Sequence, residues 1–127
     1  MKWALNKFQI GRRGELLASN FLKASGYRIL KRNVKCKLGE IDLIARDGKT
    51  LCFVEVKSAS MDGRVLHPEE AVGREKQRRL VRLASWYLKV TRQESVPVRF
   101  DVVSILTAGD GSAAKTRLIK GAFNATD

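Results

Sequence analysis

The stretch Gly39-Glu40-Ile41-Asp42-Leu43-Ile44-Ala45-Arg46-Asp47-Gly48-Lys49-Thr50-Leu51-Cys52-Phe53-Val54-Glu55-Val56-Lys57 decides the fold of this chain. Two strand-forming runs, Glu40 to Arg46 and Thr50 to Lys57, flank Asp47-Gly48, a dipeptide suited to the positive backbone angles of a tight hairpin turn. With Asp47-Gly48 as a two-residue loop, Arg46 faces Lys49, Asp42 faces Phe53 and Glu40 faces Glu55. Side chains alternate along a strand, so Glu40, Asp42, Glu55 and Lys57 share one face, and Ile41, Leu43, Ala45, Cys52, Val54 and Val56 share the other. The second face is apolar and reads as core. The first gathers carboxylates and a lysine, with Asp42 and Glu55 as diagonal cross-strand neighbours close enough to share one ion.

Carboxylates crowded together repel one another unless a proton or a cation intervenes. A hard divalent metal answers that need, because magnesium accepts one or two carboxylates, keeps several waters and takes further ligands from a phosphate-bearing substrate. Such a metal would lower the pKa of a bound water and stabilise charge on a phosphodiester oxygen. Lys57, on the same face as Glu55, would orient or help deprotonate the attacking water, or neutralise the transition state. The competing reading is a solvated hairpin face carrying surface ion pairs worth only about 0 to 1 kcal/mol each.

Charge weighs on that choice. The chain has 127 residues and a formal net charge of +12, from 25 Lys+Arg against 13 Asp+Glu, which favours a polyanionic partner such as nucleic acid over an anionic membrane surface. Arg28, Lys31, Arg32, Lys35 and Lys37 run without an intervening acid, and Arg74, Lys76, Arg78, Arg79, Arg82, Lys89 and Arg92 meet only Glu75. Carboxylates in a basic surround are the polarity a metal-dependent nuclease needs, although each basic run alone also fits a solvated face. Cys36, Cys52 and a lone His67 make neither a disulfide framework nor a structural zinc set. Lys7, Arg12 and Arg13 interrupt the first residues and no run reaches transmembrane length, so a cytoplasmic protein with no membrane partner is expected.

A helix is predicted from about Gly11 to Ser25, with Gly26 as its stop. Glu15 lies at the edge of its apolar stripe, either aimed at the carboxylate face or placed to meet the helix dipole. A first strand, Tyr27 to Lys35, precedes the hairpin, and a flexible connection is expected at about 58–66. His67-Pro68-Glu69-Glu70 resembles a helix entry, and the main second helix spans Arg74 to Val90. Gln77 and Lys76 lie at its inward start, either as boundary contacts or in support of the site. Val96 to Leu106 is a further strand reached by a right-handed parallel crossover, Thr116 to Lys120 an edge strand, and about 121–127 a tail in a single domain, 1–127. Asp101 reads as a strand-end ion pair or catalytic support, and Trp86 as a packing residue.

An acid on the first helix, then Asp, then Glu-x-Lys, in the order αβββαβ, resembles the PD-(D/E)xK restriction-endonuclease-like superfamily. More closely, Gly11-Arg12-Arg13-Gly14-Glu15 with Ala18, Gly39 to Ala45, Phe53 to Lys57, Lys76 to Leu80 and Arg99 to Val103 look like the bacterial YraN-type family, predicted endonucleases regarded as relatives of archaeal Holliday junction resolvases. The resemblance implies an α/β fold with a mixed central sheet flanked by helices. It implies Asp42 and Glu55 as ligands of Mg2+ or Mn2+, the Val56 carbonyl as a further ligand, Lys57 as the water-activating residue, and Glu15 as an outer or second-metal carboxylate. Glu40 is a weaker candidate, and Ile41 stands where the superfamily's proline would be.

The expected function is a metal-dependent endonuclease acting on DNA, at branched structures among others, with Arg12, Arg13, Arg74, Lys76, Arg78 and Arg79 on the backbone. A symmetric dimer would suit junctions. The alternatives are a non-catalytic DNA- or RNA-binding module that keeps the fold and an RNA-directed nuclease.

Overall fold

The computed structural model describes residues 7–60, 72–108, 110 and 112–125. Its elements are α1 (Lys7–Ala24), β1 (Arg28–Cys36), β2 (Gly39–Asp47), β3 (Thr50–Ser60), α2 (Arg74–Val90), β4 (Val98–Thr107) and β5 (Ala113–Phe123). The strands form one mixed sheet in the order β1-β2-β3-β4-β5, antiparallel except for the parallel pair β3 and β4. The chain is therefore α/β with the expected αβββαβ order, consistent with a restriction-endonuclease-like core, and β5 completes the sheet. The expected helix entry at His67 to Glu70, and residues 61–66 of the expected loop, lie outside the described residues, while Ser58 and Ala59 belong to β3.

The first helix stops where its glycine requires it to. Gly26 adopts φ 95°, Gly26 N–H donates to Lys23 O at 3.1 Å and Tyr27 N–H donates to Leu22 O at 2.9 Å. This is a Schellman closure, and its customary apolar contact is made by Tyr27 and Leu22, which share one core cluster. The helix begins earlier than expected, at Lys7, so no acid falls in its first turn. Glu15 sits too deep in α1 for the helix dipole to explain its place, because that effect fades within the first turn.

The hairpin register differs from the expected one. Asp47 pairs with Thr50, Arg46 with Leu51 and Ile44 with Phe53, so the loop is Gly48-Lys49, with Gly48 at φ 61°. A positive angle at the first loop position suits glycine. Asp47 is drawn into the strand because Arg99 Nη2 donates to its Oδ2 at 2.9 Å and Lys120 Nζ lies 3.4 Å from the same oxygen. The slip is even, and an even slip leaves each side chain on its original face. Pairing of β2 with β3 ends at Leu43 and Val54. Beyond it the alternation breaks, and Ile41 joins the cluster containing Ile44 and Phe53 rather than that of Leu43 and Ala45.

Both sheet faces are covered. Ala18 and Leu22 of α1 pack on Leu43, Ala45, Cys52, Val54, Val103 and Ile105. Leu80, Leu83, Ala84 and Tyr87 of α2 pack on Ile44, Leu51, Phe53, Phe100 and Val102, so the acid-bearing face is also core along half its length. Phe53, fully buried, lies 5.9 Å edge-on to Tyr87 and contributes about 1.5 to 3 kcal/mol by burial. Trp86 is partly buried against this cluster, as expected. Residues 121–123 of the expected tail instead extend β5, and Phe123 stacks on Phe100 with ring centroids 5.0 Å apart.

Candidate metal and nucleic-acid site

At the end of the sheet where the β2–β3 ladder stops, Asp42 does what a backbone carbonyl would otherwise do. Val56 N–H donates to Asp42 Oδ2 at 2.8 Å, so the carboxylate satisfies an amide that pairing leaves open. That contact fixes Asp42 against β3 beside Glu55. Burial and then the charge of Glu55 push the Asp42 carboxyl up to about 7, against the opposing Val56 hydrogen bond.

Glu15 arrives from α1. Carboxylate oxygens of Glu15, Glu40 and Asp42 lie within 4.8 Å of one another. Burial raises the Glu15 carboxyl first, and Glu40 and Glu55 raise it further against a hydrogen bond with Asn33 and the charge of Arg12. Glu40, the weaker candidate in the sequence, is thus a full member of the acidic group. Asn33 was missed. It lies on β1 with φ 51°, a left-handed angle that asparagine tolerates better than most residues, and only the fold brings it to Glu15.

Glu55 is handled differently. Its side chain is 7% exposed, and its Oε1 lies 2.5 Å from Lys76 Nζ and 3.7 Å from Lys57 Nζ. Burial and then the neighbouring Lys76 lower the Lys57 pKa, whereas at Lys76 burial, the largest single cause, is outweighed by the hydrogen bonds to Glu55 and Lys57 together with the charges of Glu55 and Asp42, so its pKa rises. Glu40, Asp42, Glu55, Lys76, Arg79, Leu80 and Leu83 line a cavity of about 230 Å³ between the sheet end and α2. Arg79 reaches that wall because the β1–β2 turn carries glycine: a Cβ on Gly39 would lie 3.3 Å from Arg79 Cδ, and Gly39 has φ 138°. Gln77 does not line the cavity. Its Nε2 donates to Val72 O at 2.8 Å, making it the boundary contact at the helix start. Arg12, Arg13, Arg74 and Arg78 are exposed.

The donor set suits a hard cation. It consists of carboxylate oxygens, crowded enough that the neighbouring acids push up the carboxyls of Glu15 and Asp42, with neither His nor Cys in the group. The fold is that of an α/β protein with an acidic cluster at one end of its mixed sheet, walled by Lys76 and Arg79. Residues 14–105 match the model of the uncharacterised protein family UPF0102, and the chain belongs to that family. A UPF0102 protein of Symbiobacterium thermophilum is 52% identical over 117 residues, 92% of this chain and 98% of the relative. One of Syntrophus aciditrophicus is 46% identical over 113 residues, 89% and 87% of the two chains. One of Caldicellulosiruptor saccharolyticus is 41% identical over 119 residues, 94% and 100% of the two chains.

A second cluster escaped the sequence reading except at Asp101. Asp101, fully buried, accepts from Arg99 Nε at 2.8 Å, Tyr27 Oη at 3.1 Å and Gly121 N at 2.9 Å. Arg99 also bridges to Asp47, so the network joins both ends of the sheet order at the hairpin turn. These are the strand-end ion pairs that were expected, and the acidic cavity has other walls. Among the described residues no helix is long and apolar enough to cross a membrane.

Proposed function

We propose that this protein is a metal-dependent endonuclease that hydrolyses DNA phosphodiester bonds, with branched structures among its substrates. The observation that carries the reading is the convergence of Glu15, Glu40 and Asp42 within 4.8 Å, beside the buried Glu55 and under a basic helix face. Membership in the restriction-endonuclease-like superfamily, and kinship with Holliday junction resolvases, are part of the same proposal.

Asp42 and Glu55, with the Val56 carbonyl, would hold Mg2+ or Mn2+, and Glu15 and Glu40 would accept hydrogen bonds from its waters or hold a second ion. When bound, the cation supplies Lewis acidity toward a phosphodiester oxygen and acidifies water. Lys57, less basic than a free lysine, orients the nucleophile and exchanges a proton at Nζ. Arg79 at the cavity wall, with Arg12, Arg13, Arg74 and Arg78, binds backbone phosphates.

The test is a cleavage screen over linear, nicked, flapped and four-way DNA and matched RNA, with Mg2+ or Mn2+. Asp42→Asn is the sharper control, because the amide oxygen still accepts from Val56 while the charge is gone. Cleavage by the wild type and its loss in Asp42→Asn and Lys57→Ala are expected. A panel left intact by the wild type, with salt-sensitive binding and no metal uptake, would turn the reading to the non-catalytic module.

A further inference from the structure

Glu55 is a buried carboxylate with two ammonium groups on one oxygen, Lys57 from its own strand and Lys76 from the first turn of α2. Burying a carboxylate requires a compensating cation, and Lys57 is already attached to the same strand. Lys76 is the more dispensable of the two. Its side chain is 41% exposed, against 25% for Lys57, and it lines the open cavity shared by Asp42 and Glu55. A flexible ammonium stem that reaches solvent from a helix end has somewhere else to go. Around it, Arg74, Arg78, Arg79 and Arg82 present exposed guanidinium groups on the same helix.

We propose that Lys76 is the exchangeable counter-ion of Glu55. It holds the carboxylate while no divalent cation is present, yields it when one enters, and then turns to a backbone phosphate. The inference rests on the metal reading above and gives Lys76 a positioning role. Charge accounts for its direction. At Glu55 a single positive charge gives way to a double one, and the released ammonium adds one positive charge to the face that meets the polyanion. Lys76 therefore competes with the cation for Glu55, and cation and DNA strengthen each other's binding through it.

The experiment is calorimetric titration of Mn2+ into the full chain, comparing wild type with Lys76→Met, Lys76→Gln and Glu55→Gln, alongside the Tm of each. Removing the competitor should tighten Mn2+ binding about twofold to fivefold in both Lys76 variants, the scale of a partly exposed ion pair. Glu55→Gln should weaken it. DNA affinity, followed by fluorescence anisotropy with Ca2+ as the hard cation, should rise on adding Ca2+ by a factor at least about threefold smaller in Lys76→Met than in wild type. The neutral, helix-compatible Gln variant carries the comparison should the Met variant fold poorly. Unchanged or weaker Mn2+ binding in variants that keep their Tm would overturn the exchange and make Lys76 a structural pin, leaving the nuclease reading intact. A wild type that takes up no Mn2+ would overturn both.

Discussion

At Gly14, α1 runs close against Ser58 of β3. A Cβ at this position would overlap Ser58 Oγ and lie 2.8 Å from Ser58 Cβ. The hydroxyl can rotate away, but the Cβ belongs to a strand, so an alanine would force the helix back by about half an ångström or more. Overpacking of this kind costs about 1 to 3 kcal/mol. Against it, replacing a glycine inside a helix gains about 1 kcal/mol. In the wild-type background the two effects oppose, and Gly14→Ala should be neutral to destabilising by about 2 kcal/mol. In a Ser58→Gly background both contacts vanish, and the same change should stabilise by about 1 kcal/mol. The sharp quantity is the coupling, about 1 to 3 kcal/mol, read from urea denaturation of the four proteins in a double-mutant cycle. Additive effects would refute the idea that the Gly14–Ser58 contact sets the height of α1, and with it the placement of Glu15 one residue later.

Three further outcomes follow from the same structure. Arg99→Met strips the fully buried Asp101 of its charged partner and should cost about 3 to 5 kcal/mol, visible as a fall in Tm; a loss under about 1 kcal/mol would contradict the network. Arg99 hydrogen bonding holds the Asp47 carboxyl below the usual range. Its contribution is therefore present above the unfolded pKa of about 4 and lost as pH falls through the lower folded value, so the stability gap between wild type and Asp47→Asn should narrow on acidification toward about pH 3 and not on raising the pH. Burial, and then Asp101, push the Cys52 thiol up to about 12, so native protein at about pH 8 should leave Cys52 unalkylated by iodoacetamide until urea unfolds it.

The second helix was legible in full, Arg74 to Val90, because its apolar positions recur with helical period. The hairpin was legible as a hairpin, but its register was not: Gly48 could stand first or second in the loop, and Arg99 and Lys120, which settle the matter at Asp47, lie far along the chain. The shared face of Asp42, Glu55 and Lys57 and the place of Glu15 at the helix edge were legible from alternation and helical period, although each also fitted an ordinary surface. Their division was not, since the ion pair from Lys76 to Glu55 and the grouping of Glu40 with Glu15 depend on where two helices meet opposite faces of one sheet. Phe123 looked like part of a tail because a lone aromatic near a glycine carries no period; its stacking on Phe100 supplies the reason it is held.

The parallel pairing of β3 with β4 sets the order in which the acidic cavity is assembled. Glu15, Glu40, Asp42 and Glu55 all precede α2, yet β3 pairs along Leu51 to Ser60 with Val98 to Thr107, on the far side of that helix. A chain growing from its N-terminus therefore carries every acid of the cavity well before it owns the strand that holds Glu55 in line. Parallel partners cannot meet through a tight turn, and contacts of such long sequence separation form slowly. Alignment of the acids is thus tied to completion of the sheet, and a polypeptide halted before Val98 holds them without the scaffold that aligns them.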